Sequence, residues 1–247
     1  MTSKQVMLCT MLLCCSGCAL LAGRDGDAGR VDSPYSTRRV WAVAPLRNES
    51  GSGHADGIRF SEALAEQLQR VVNVDVLAVN RCLAAMESLE IAQVTAAPQA
   101  HRLMKLLGAD GLVIGSITVY EPYDPPAMGL AIELYGHERA EDLHAADPRV
   151  LSRSAVPPDE RGPAQKQAGR PVSAVAGVYR ASEPHVRRWL RRYARRRGPV
   201  MDDDAWHRYR ISTDLYTRFV AHVMARRLVA AETARIARVI EAQLPAP

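Results

Sequence analysis

The chain has 247 residues, enough for one substantial domain with tails or at most two small ones. Its apolar share of 47% is that of a globular protein, and with only 5% aromatic residues the core must rest on Leu, Val, Ile and Ala. The net charge of +5 is too small for a generally basic protein, yet seven arginines fall between Arg187 and Arg197, so the charge forms one local basic patch.

Cys9, Cys14, Cys15 and Cys18 crowd the start of the chain and leave Cys82 alone in the body, which excludes an internal disulfide there. Cys82 lies in a helical pattern beside Leu83 and Ala84 and reads as a small buried apolar side chain. At the start, Lys4 precedes an apolar run from Val6 to Leu13, far short of the roughly 20 residues that cross a bilayer, as in a secretory signal. Leu13-Cys-Cys-Ser-Gly-Cys-Ala19 follows. Small residues directly before a cysteine resemble the bacterial lipobox, although Cys15 stands where Leu is usual. That resemblance implies a signal peptide over 1–17, an acylated (palmitate-bearing) Cys18, and a mature chain fixed to a membrane by its acyl chains. Ala19, not being Asp, implies the outer membrane facing the periplasm over the inner one.

Residues 18–38 are polar and glycine-rich and read as a flexible tether. Val40–Leu46 is a first strand, closed by the polar loop 47–53. A helix is predicted over 58–72, with Ile58, Leu64, Leu68 and Val71 near one face. Val74–Val79 is a second strand, and Asn80 is placed to cap a helix over Arg81–Leu89. Ala97-Pro98 opens a third helix ending at Leu107, with Gly108 as its left-handed cap.

Leu112–Ile114 then begins the most apolar strand, which alternates from Ser116 to Glu121; Gly115 within it implies a close backbone approach. Pro122–Pro126 is a turn, and Met128–Tyr135 is a strand antiparallel to the central one. Residues 136–171 lack periodicity and read as a disordered insertion. Val172–Arg180 completes a meander. A basic helix covers 184–197, Gly198-Pro199 breaks it, and a single long helix runs from about Ala205 to Gln243. Asp202–Asp204 are placed to cap that helix, which meets the sheet through Leu215, Phe219, Val223 and Leu228.

The order β-α-β-α-α-β-β-β-α predicts an α/β sandwich, a mixed sheet of about five strands with helices packed on it, in a single domain over 39–247. Val43-Ala-Pro-Leu-Arg-Asn-Glu-Ser50 closing the first strand, Leu107-Gly-Ala-Asp-Gly-Leu-Val-Ile-Gly-Ser116 and the returning amphipathic helix together resemble a family of envelope α/β domains. It includes the curli-secretion channel lipoprotein, the penicillin-binding-protein activator lipoproteins and the amino-terminal domain of the TolB translocation protein. The resemblance covers 40–136, 172–180 and the last helix. It implies a fold and an envelope setting; pore formation is not carried over, because 136–171 lacks alternating membrane strands.

No phosphate-binding loop or nucleophile elbow is present. His137–Glu141 with His144 lacks zinc spacing, and Asp202–Asp204 are explained by capping. Neither a catalytic residue, a metal nor a cofactor is therefore assigned. The pointed feature is the 186–197 segment, where Val186, Trp189, Leu190 and Tyr193 form an apolar stripe. Arg187, Arg188, Trp189, Arg191, Arg192, Arg195, Arg196 and Arg197, together with Asn48 and Glu49, are assigned as the surface for an envelope protein partner or anionic lipid. The expected function is a non-enzymatic, lipid-anchored envelope protein in an assembly, secretion or cell-wall complex. Its rivals are an envelope hydrolase using His54 and Asp56, and a cytoplasmic nucleic-acid binder should the lipobox be spurious; the envelope holds little nucleic acid.

Overall fold

The computed structural model describes residues 30–136, 170–197 and 205–243. The signal segment, Cys18, the first part of the expected tether, the insertion from 137 to 169 with its histidines, and Asp202–Asp204 lie outside the described residues.

The elements in chain order are β1 (Arg39–Val43), β2 (Arg47–Asn48), α1 (Gly57–Leu68), β3 (Val74–Val76), α2 (Val79–Ser88), α3 (Ala97–Leu107), β4 (Gly111–Glu121), β5 (Ala127–Gly136), β6 (Ser173–Arg180), α4 (Pro184–Arg195), α5 (Ala205–Ile211) and α6 (Thr213–Gln243). They build one mixed sheet ordered β3-β1-β4-β5-β6, with β2 pairing β4 beyond the end of β1. Pairing is parallel among β1, β2, β3 and β4 and antiparallel through β4, β5 and β6. This is the mixed α/β architecture expected from the element order, with the three-strand meander in place.

The apolar run of β4 is buried because both faces of the sheet are covered there. Val113 and Ile117 join Met128, Leu130, Ile132 and Leu134 under α1, α4 and α6. Leu112 and Ile114 face the other way, with Ala42, Ala44 and Tyr135, under α2 and α3. Gly115 is required where it stands, since a Cβ there would lie 2.2 Å from the Ala131 carbonyl oxygen of β5. Gly108 ends α3 in the left-handed region, φ 62°, where any other residue carries a steric cost.

The first strand is split. β1 pairs β4 up to Val43↔Val113 and β2 resumes at Arg47↔Ser116, so the first strand carries one more residue than β4 over the same span. Pro45 has no N–H to offer the ladder, and the strand bulges around it. Leu46 turns its N–H instead to the buried Ser61 hydroxyl of α1, 2.9 Å away. Asp56 caps α1 by accepting from the N–H groups of Ile58 and Arg59.

Other boundaries move for identifiable reasons. Helix α1 stops at Leu68, short of the expected Val72, because Val71 bridges to Val31 and the Val72 N–H donates to the Val31 carbonyl at 3.0 Å. The same contact pins the end of the expected tether, and Tyr35 is buried behind it. Asn80 is not the cap of α2: the helix starts at Val79 behind Ala78, which has no side-chain capping bond, and so seats the buried Val79 in the core. Strand β3 ends at Val76, and the Leu77 N–H still reaches the Trp41 carbonyl, 2.8 Å away.

The single long C-terminal helix is two helices. Ser212 separates α5 from α6, its N–H closing α5 onto the Arg208 carbonyl at 3.0 Å while its hydroxyl accepts from the Leu215 N–H at 3.4 Å. That is N-cap chemistry inside what reads as a continuous pattern. The buried stripe of α6 is also rotated: Tyr216, Phe219, Val220, Met224 and Leu228 face inward, whereas Leu215 and Val223 are half-buried. Helix α6 runs parallel to α1, joined by Arg59–Asp214 at 3.2 Å near their starts and by His222–Gln67 at 3.2 Å further along.

Candidate functional site

Helix α4 begins at Pro184, whose missing N–H costs nothing at a first helical position. Val186, Leu190, Tyr193 and Ala194 are buried against the α1–α6 layer, and the arginines occupy the remaining faces. Trp189, assigned from its spacing to the apolar stripe, stands off it and is 41% exposed. Its ring meets the His185 ring edge-on at 5.2 Å and lies 6.5 Å from Tyr179.

The assigned arginines divide by what they touch. Arg187, Arg188 and Arg192 are exposed and make no ion pair among the described residues. Arg195 and Arg196 are also exposed. Arg191 stacks over the Trp206 ring of α5, 4.5 Å from its centre. Arg197 is committed to the interior: its guanidinium lies 3.9 Å from the centre of the Tyr193 ring and donates to the Gln67 side chain at 3.4 Å. Burial pulls its pKa down from the ordinary arginine value, as does the neighbouring charge of Arg70, against the opposing Tyr193.

Asn48 and Glu49 are exposed at the end of β2. The Asn48 side chain organises its own loop, donating to the Ser52 carbonyl at 2.7 Å and accepting from the Ser50 N–H and hydroxyl. Glu49 pairs with Arg47 across the same turn. Of the residues weighed for hydrolysis, Asp56 is occupied in capping α1, and the exposed His54 ring makes no hydrogen bond among the described residues. Cys82 is buried and burial pushes its thiol up to about 12, so the nucleophilic thiolate is not populated at neutral pH. The described residues contain no group of His, Cys, Asp and Glu spaced to hold a metal, and no helix among them is long and apolar enough to cross a membrane.

Two polar clusters escape the sequence. Glu232 of α6 is only 1% exposed, yet its two oxygens accept from the Tyr35 hydroxyl at 2.9 Å, the Ser173 hydroxyl at 2.7 Å, and Arg235 through both Nε and a terminal nitrogen. Burial alone would raise this carboxyl, but the hydrogen bonds from Arg235 and Ser173, then the Arg235 charge, hold it below the ordinary carboxylate range. The second cluster is His222, Gln67, Tyr193 and Arg197, where the His222 ring sits 4.9 Å from Tyr193. A glutamate amid the apolar positions Leu228, Val229 and Ile236 was the only sequence signal for the first cluster. For the second, Tyr193 and Arg197 stand one turn apart in the basic segment, but nothing local ties them to Gln67 and His222, which lie far from each other in the chain.

No family model matches the chain, and no curated protein matches it. Among solved structures it is similar to the LpoB C-terminal domain from Salmonella enterica, at 13% identity and a TM-score of 0.38, covering 60% of this chain and 84% of that one. It is also similar to the lipoprotein GNA1162 from Neisseria meningitidis, at 13% identity and a TM-score of 0.34, covering 57% and 80%. A third likeness is to the hypothetical protein CT253 from Chlamydia trachomatis, at 14% identity and a TM-score of 0.34, covering 83% and 99%.

Proposed function

We propose that the chain is a non-enzymatic, lipid-anchored protein of the bacterial cell envelope whose α/β domain docks a protein partner through the outer face of α4. The observation that carries this reading is the trio Arg187, Arg188 and Arg192, exposed and without an ion pair among the described residues, around a half-exposed Trp189. Arginine and tryptophan are the side chains that most often anchor protein interfaces, and charges that no neighbour neutralises are free to meet an acidic surface. Cys18 supplies the anchor in this reading, with the domain held at the outer membrane facing the periplasm. The polar groups with chemical potential, Asp56, Cys82, Glu232 and His222, have structural work that accounts for them.

The test combines the two halves. Cys18→Ala abolishes incorporation of labelled palmitate and moves the protein out of the membrane fraction. A photo-crosslinker at position 188 yields a discrete acidic protein adduct in cells, lost when the same chain also carries Arg187→Glu and Arg192→Glu. An adduct that persists in that variant, or a palmitate-free membrane pool, overturns the reading. Trp189 among arginines also suits a membrane surface, and recovery of phospholipid adducts alone, with binding to phosphatidylglycerol vesicles, replaces the protein partner with the bilayer.

A further inference from the structure

Among the described residues, the meander ends on a strand with nothing paired to its outer side. Strand β6 pairs with β5 and stands last in the sheet. At its end the Ala181 N–H donates to the Pro126 carbonyl at 2.8 Å, one step outside the Ala127↔Arg180 pair. The alternation of an antiparallel ladder then directs the backbone groups of Ser173, Val175, Gly177 and Tyr179 toward β5, and those of Ala174, Ala176 and Val178 outward. None of these three outward residues has a backbone hydrogen-bond partner among the described residues.

The side chains agree with this division. Ser173 and Tyr179 point to α6, where they meet Glu232 and Met224. Ala174, Ala176 and Val178 lie on the opposite face and are exposed, Val178 at 36%. Natural sheets guard such edges with lysine, proline, inward charge or a bulge. From Ser173 to Tyr179 the sequence Ser-Ala-Val-Ala-Gly-Val-Tyr has none of these, and all its paired residues are in unbroken register with β5.

The rim of this edge is basic. Arg170 and Arg180 are exposed just beyond its two ends, Arg180 lying 3.8 Å from the Glu183 carboxylate. Over its middle, Arg227 of α6 reaches so close that a Cβ on Gly177 would meet its terminal nitrogen at 2.4 Å. Arg227 donates to the Tyr179 hydroxyl at 3.0 Å and forms no ion pair among the described residues.

We propose that β6 is an acceptor edge: an extended, acidic segment of a partner protein adds to the sheet as a further strand. Backbone bonds to Ala174, Ala176 and Val178 supply the attachment, and Arg170, Arg180 and Arg227 select negative charge. A second copy of this chain fits less well. The two-fold register that centres on Ala176 and keeps both faces in phase sets Arg180 of one copy diagonally across from Arg170 of the other, twice, and like charges there are unfavourable. The inference does not depend on the arginines of α4.

The test uses the full chain and the synthetic peptide Glu-Val-Thr-Val-Thr-Val-Glu, read by amide hydrogen exchange. Adding the peptide slows exchange at Ala174, Ala176 and Val178 by about tenfold or more, as expected for amides newly placed in a ladder. Its analogue N-methylated at alternate residues and its lysine-ended counterpart give no protection. Ala176→Pro removes the central outward donor without touching the pairing to β5 and abolishes protection at Ala174 and Val178 with an unchanged circular dichroism spectrum. Should that variant misfold, Ala176→Asp keeps the backbone and repels the acidic peptide to the same end. Equal protection by the methylated or lysine-ended peptide, or no protection by any of the three, overturns the proposal. So does protection that appears without peptide as protein concentration rises, which would make the occupant a second copy.

Discussion

The His222 ring nitrogen Nδ1 lies 3.2 Å from the Gln67 side-chain oxygen, tying α6 to α1 beneath the ring of Tyr193. Burial first, then the charges of Arg197, Arg226 and Arg70, push the imidazole down to about 3. The folded protein therefore keeps His222 neutral while the unfolded chain protonates it near the ordinary value of about 6.5. Stability is full above that value and falls as pH drops toward about 3. Urea unfolding at pH 7 and pH 5 shows the loss, on the order of 1 kcal/mol after discounting for the partly solvated ring. His222→Gln, which cannot titrate, loses less over the same interval.

Glu232 is a stability determinant, because removing one partner of a buried, fully bonded ionic group strands the other. Glu232→Ala is expected to cost about 3–5 kcal/mol, and Tyr35→Phe, which removes one hydrogen bond to it, about 1 kcal/mol. Equilibrium denaturation of both variants checks the ranking, and near-equal costs would contradict it.

Two glycines separate crowding from backbone freedom. At Gly108 nothing lies within 4 Å of an added Cβ, so Gly108→Ala costs only its left-handed conformation, about 1 kcal/mol. At Gly115 the added carbon would press on the backbone of β5, and Gly115→Ala costs more, about 3 kcal/mol or above. Thermal unfolding of the pair gives the order directly.

The arginines of 187–197 differ in what they support. Charge reversal at Arg187, Arg188 or Arg192 leaves the unfolding free energy within about 0.5 kcal/mol, as for other surface sites. Arg197→Glu lowers it by more, since it removes the stacking on Tyr193 and the bond to Gln67. Cys82 should resist alkylation in the folded protein and react only on unfolding, as read by mass spectrometry of its peptide.

What the sequence made legible was whatever is encoded locally. The apolar run of β4, the left-handed stop at Gly108, the opening of α3 at Pro98 and the antiparallel meander follow from patterns a few residues long. Ser212 was not legible because a serine within an apolar helical period is compatible with continuation, and only the docking of Trp206 and Tyr209 against α4 fixes a break there. The rotation of the α6 stripe has the same origin, as its phase is set by α1 and β6 and not by its own spacing. In the candidate site, the inward and outward arginines of 187–197 could not be separated along the chain, since Arg197, just past the end of α4, turns toward Gln67, a residue of another helix.

The bond from Tyr35 to Glu232 spans 197 positions of the chain, and it has a consequence for biogenesis. The sheet face lined by Met128, Leu130 and Ile132 waits for α6, which follows it by about 80 residues in the chain, before it is sealed. A chain cut short before Thr213 would lack α6 and present that apolar surface bare, so shielding of the nascent polypeptide must last until the buried stripe Tyr216–Leu228 has emerged.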